Sequence, residues 1–91
     1  MALEAEAIAR IDALVAAIGG RADAGSVAYA LQRLVPGFAL RQCDASDVLE
    51  DPFRTAGACD IHLLDTSHHC IRVTDDPAEA TGLLLAAKAA A

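Results

Sequence analysis

The chain is poor in aromatic residues: Phe38, Phe53 and Tyr29 are 3% of it, and tryptophan is absent. Hydrophobic residues reach 55%, much of it alanine. The core must therefore be aliphatic, built from Leu, Ile and Val. Apolar content this high, spread along the chain, argues against disorder. Basic residues are scarce too, at seven against thirteen acidic. Phosphate backbones are bound electrostatically, so an acidic chain without a basic stripe is not expected to bind nucleic acid. An anionic membrane surface is disfavoured for the same reason.

Other absences narrow the field further. Three cysteines are an odd number, which leaves no closed internal disulfide framework. No apolar run is long enough to span a bilayer. No charged start with an apolar run and a cleavage site reads as a secretory signal, so a cytoplasmic protein with reduced thiols is expected. A Cys-x-x-Cys pair, a phosphate-cradling glycine loop and an H-E-x-x-H helix are all missing. No internal repeat or linker is visible, and 91 residues make one domain.

The acidity is lopsided. Residues 1–43 balance Glu4, Glu6, Asp12 and Asp23 against four arginines. Residues 44–91 carry nine acids against Arg54, Arg72 and Lys88, so the whole net charge of -6 lies there. Asp44, Asp47, Glu50 and Asp51 lack the Asp-x-Asp-x-Asp-Gly spacing of a calcium loop and read as caps and solvated charge.

Hydrophobic spacing sets the elements. Ile8, Ile11, Leu14, Val15 and Ile18 lie on one face of a helix predicted over 3–18, stopped by Gly19-Gly20. Ser26 is expected to cap a second helix over 27–35, with Val27, Ala30, Leu31 and Leu34 inward and Pro36 ending it. The short link predicts an antiparallel helix pair. A first strand is expected over 38–43. In 44–57, Asp47 with Glu50 has capping-box spacing, and Gly57 closes a short turn through 53–55. Asp76, Pro77 and Glu79 suit a single helical turn, followed by a further strand over 83–87 in preference to one long helix.

The stretch 58–77 has the clearest strand pattern and holds all three histidines. Ile61 and Leu63 alternate with Asp60 and His62, and Ile71 and Val73 with Cys70 and Arg72. The apolar sets match if Leu63 faces Ile71 and Ile61 faces Val73. That register pairs Asp65 with His69 around a loop of Thr66, Ser67 and His68. It leaves His62, Cys70 and Arg72 on one outward face, with Asp65 and His69 at the tip.

These residues carry the only candidate chemistry. Cys59-x-x-His62 with His68-His69-Cys70 offers the thiolates and imidazoles that a transition metal takes. Strand alternation divides them between two faces and a loop, so a four-ligand site does not assemble without distortion. A metal or cluster site would use Cys70 and His62, joined by His69, or by Cys43 if the first strand lies beside the strand of Cys70. The plainer expectation is a buried Cys59, surface histidines and no cofactor. Thiol catalysis needs a base within reach, and His69 points away from its neighbour Cys70, so no catalytic residue is nominated.

The segment HLLDTSHHCIRVTDDPAEATGLLLA, with the upstream DVLEDPF, resembles a family of small uncharacterised proteins associated with nitrogen-fixation gene clusters of diazotrophic bacteria. His69-Cys70, Thr74-Asp75-Asp76-Pro77 and Ala80-Thr81-Gly82 carry the resemblance, which covers the chain from Phe38 onward. It implies a cytoplasmic accessory role near nitrogenase or its metallocluster assembly and supplies no catalytic residue. His68 departs from the family pattern.

The expected fold is α+β: a helical hairpin over 3–35 packed on a small antiparallel sheet of three or four strands within 38–91. The expected role is a non-enzymatic accessory module with a protein partner, presenting His62, Asp65, His69, Cys70 and Arg72. The alternative is a metal- or cluster-binding protein.

Overall fold

The computed structural model describes residues 3–18, 23–67 and 70–88. Two helices, α1 (Ala5–Ile18) and α2 (Ala24–Leu34), precede five strands: β1 (Ala39–Asp44), β2 (Arg54–Ala56), β3 (Cys59–Asp65), β4 (Arg72–Thr74) and β5 (Gly82–Ala87). The α+β class and the N-terminal helices are as expected. The expected Gly19-Gly20 stop lies outside the described residues. No helix among the described residues is long and apolar enough to cross a membrane.

The caps differ from expectation in one respect. Asp23, not Ser26, caps α2: its Oδ1 accepts the Ser26 N–H at 2.7 Å. A carboxylate there meets both an orphan donor and the positive end of the helix dipole. The Ser26 N–H, then the Ser26 hydroxyl, hold the Asp23 carboxyl below its usual range. Val35 closes the helix by donating to the Leu31 carbonyl at 2.9 Å, and Pro36 follows.

The sheet is mixed rather than antiparallel, in the order β1-β5-β3-β2, with β4 also on β3. β5 runs parallel to β1 and antiparallel to β3. Its Leu83-Leu84-Leu85 run explains its central place, because a continuous apolar strand needs cover on both faces. Leu83 and Leu85 join Ile61, Leu63 and Cys59 under the helices, where Ile11, Val27 and Leu31 close the core. α1 packs on β2 and α2 on β5. Arg54 of β2 also donates to Asp12 of α1. Gly82 permits the β1–β5 contact, since a Cβ there would meet the Ala39 carbonyl oxygen at 3.0 Å.

Two expectations about loops are corrected. Residues 53–55 do not form a turn: Arg54–Ala56 is a strand paired with Cys59–Ile61. Gly57, at φ 61°, starts a two-residue hairpin of the kind that places glycine first. Asp47 is not a cap either. Asp44 caps a short 3-10 turn, Ala45–Asp47, by accepting from the Ser46 N–H and hydroxyl, each at 2.9 Å.

The β3–β4 register differs by three residues from that expected. Leu64 faces Val73 and Asp65 faces Arg72. β2 occupies the lower half of this edge, so β4 can pair only with residues 63–65. Moreover, Asp65 is buried and needs a cation opposite, which Arg72 supplies. A three-residue edge strand has too few apolar positions to fix register by pattern. Ile71 consequently lies outside the strand, 42% exposed.

Candidate functional site

β1 and β2 lie on opposite sides of β5 and β3, so residues 45–53 must cross the sheet to join them. The helices occupy one face, and this connector runs over the other. A cleft of about 540 Å³ results. Its apolar lining comes from Cys43, Val48, Leu64, Ile71, Val73 and Leu84, and Arg41, Asp47, Glu50 and Arg72 add charge. Leu49, next to Val48 on the connector, is 95% exposed.

Beside the cleft, along the β4 edge, lies a hollow of about 500 Å³. Glu50 and Asp51 of the connector line it together with Asp75, Glu79 and Arg72. Arg72 is already engaged, donating to Asp65 Oδ2 at 3.2 Å and to Glu79 Oε2 at 3.3 Å. Thr74 donates to the same Glu79 carboxylate. Arg41, by contrast, lines only the β1 side of the cleft. The two hollows thus form one surface, apolar in the middle and acidic toward β4.

The outward patch expected at the hairpin does not form. His62 points to the face opposite the helices, but it is buried at 2% exposure. It sits between the stretches of β3 that pair with β2 and with β4, and Leu84 is its cross-strand neighbour on β5. Its Nδ1 has no hydrogen-bond partner among the described residues. Asp65 points to the helix-covered face, because residues 62 and 65 differ by an odd number along one strand. The Ser67 hydroxyl and N–H bond Oδ1 and, with help from Arg72, hold the carboxyl at about 2, against the cost of burial. Cys70 is exposed in the loop after β3. His68 and His69, and with them the expected Asp65–His69 pair, lie outside the described residues. Arg72 therefore faces Asp65, not a shared surface with His62.

The expected metal candidates are dispersed. β1 pairs with β5 and not with the strand after Cys70, so Cys43 is separated from His62 by a whole strand. Among the described residues no group of three or more His, Cys, Asp or Glu side chains is placed to hold a metal ion. Neither Cys43 nor Cys59 is activated. Burial pushes Cys43 up, and the Asp47 and Asp44 carboxylates push it further. Cys59 is fully buried and raised by desolvation, then by Asp23 and Asp60. A thiol held in its protonated form is a poor nucleophile.

Sequence reasoning missed the cleft and its lip. Leu49 lies beside Val48 with Asp47 and Asp51 at strand spacing on either side and Glu50 next to it. A large apolar residue in a charged connector was the available signal.

No curated protein and no solved structure matches the chain. A family model does match, over residues 13–88, which takes in the last part of α1, all of α2 and every strand that frames the cleft. The chain belongs to that family, described as a family of unknown function (DUF6129).

Proposed function

We propose that this protein is a non-enzymatic interaction module that receives a protein partner in the cleft on the helix-free face. One observation carries the reading: Leu49 is 95% exposed beside an open, apolar-lined cleft. Single exposed apolar residues are ordinary, but a leucine flanked in the chain by two residues that line a concave apolar surface, Val48 and Glu50, is what the rim of a docking site offers. The raised thiols and the dispersal of His62, Cys43 and Cys70 favour this over catalysis or metal binding. The acidic balance speaks against nucleic acid. The resemblance at 62–86 directs the search for the partner to the cytoplasm and to nitrogenase or its metallocluster assembly.

A pull-down from the cell's own extract tests the reading. The bait is the wild-type chain, compared with Leu49→Ser and with an unrelated acidic protein of equal charge. A specific partner should be retained by the wild type and lost with Leu49→Ser. Equal recovery on the charge-matched control, or on Leu49→Ser, would sink it.

A further inference from the structure

We infer that the partner element is a basic amphipathic helix, an inference that rests on the docking reading above. The cleft's apolar lining comes from successive strands, from Cys43 on β1 through Leu84 and Leu64 to Val73 on β4. Val48, Leu64, Val73 and Leu84 give it depth, and Leu49 and Ile71 stand exposed around it. Such a strip suits one apolar face of a helix, inserted at i, i+3, i+4 and i+7.

Charge selects the rest of the occupant. Four carboxylates surround the adjoining hollow: Glu50, Asp51, Asp75 and Glu79. Among the described residues the cation that lines it is Arg72, which already serves Asp65 and Glu79. Glu50, Asp51 and Asp75 have no ion-pair partner among the described residues. Lys or Arg on the flank of a docked helix would meet these acids, and like charge there would be repelled. Arg41 on the β1 side gives the surface a polarity. The helix should lie with its most basic end over β4 and a neutral or acidic end near β1.

The probes are two synthetic helices of about 14 residues, roughly 21 Å long. One has a leucine face flanked by lysines and the other carries glutamates in the same places. A scrambled lysine peptide of identical composition lacks the apolar face. Binding to the full chain is read by fluorescence anisotropy at low and high salt. The amphipathic lysine peptide should bind, and the glutamate and scrambled peptides should not. Leu49→Ser should weaken binding about tenfold, as for loss of an anchor residue. Asp51→Asn with Asp75→Asn should weaken it and flatten its salt dependence, whereas Glu4→Gln with Glu6→Gln, an equal charge change at the start of α1, should not.

If the glutamate or scrambled peptide binds as well, or if the two pairs of acid variants behave alike, the basic-helix inference is overturned. Docking in the cleft then still stands, provided Leu49→Ser weakens the binding. If Leu49→Ser changes nothing, both fail together. If no peptide binds, the inference fails, and the extract experiment decides the docking reading separately.

Discussion

Replacing His62 with leucine should make this protein more stable. His62 is 2% exposed, and Nδ1 lacks a hydrogen-bond partner among the described residues. A buried polar atom left unpaired forfeits its hydration, at a cost of about 1–3 kcal/mol. On the same sheet face Leu64 lies two residues along β3 and Leu84 directly across on β5, while Asp60, two residues the other way, is paired with Lys88. Leucine is close to histidine in volume and brings no polar atom. His62→Leu therefore removes the penalty without opening a large void. In a chain of this size each 1 kcal/mol moves Tm by about 4–8 °C, so the rise should be about 4 °C or more. His62→Ala should go the other way, because the cavity it leaves costs more than the unpaired nitrogen. Calorimetry gives Tm, and urea titration checks that the m-value is unchanged, so that the shift reflects native-state stability. A lower Tm for His62→Leu would refute the reasoning. It would mean that Nδ1 is satisfied in solution, for example by a bound water.

Three further outcomes follow from the geometry. Asp65 is held at about 2, below its ordinary 3.8, so its contribution to stability is complete above about pH 4. That contribution should be lost as pH falls from about 4 toward 2, and Asp65→Asn should flatten this part of the acid-unfolding curve followed by circular dichroism. Gly82→Ala should destabilise by about 1–3 kcal/mol in urea unfolding, because the added Cβ meets the Ala39 backbone oxygen, which is fixed by β1–β5 pairing. Alkylation followed by mass spectrometry should modify Cys70 first, Cys43 more slowly and Cys59 last, with the order abolished in denaturant.

Where the chain's pattern was long and periodic, the residues alone fixed the outcome. α1 followed its Ile8-Ile11-Val15-Ile18 stripe, and β5 followed the Leu83-Leu84-Leu85 run after Thr81-Gly82. The helix stripe repeats over enough residues to outweigh local alternatives, whereas three leucines after Gly82 suited a strand or a continued helix, and pairing with β1 and β3 decided between them. Short elements were a different matter. Arg54–Ala56 has no pattern of its own and is a strand because β3 offers an edge and Gly57 supplies the turn. The capping residue of α2 was ambiguous between Asp23 and Ser26, which are both good caps.

The sequence by itself determined an aliphatic α+β chain with two leading helices, an acidic second half and no closed disulfide framework. It also placed His62, Asp65 and Cys70 near one another along the chain. Only the tertiary structure decided where their side chains went. Insertion of β5 between β1 and β3 separated Cys43 from His62, and the β2 hairpin confined β4 to the upper half of β3. The resulting register set Arg72 opposite Asp65 and left Ile71 outside the strand, while His62 lies buried beside Leu84. The connector, forced across the free face to link the two sides of the sheet, formed the cleft. Strand order is set by which apolar runs need two covered faces and which edges remain to be paired. That is a competition among distant segments, and no single stretch of sequence encodes its result.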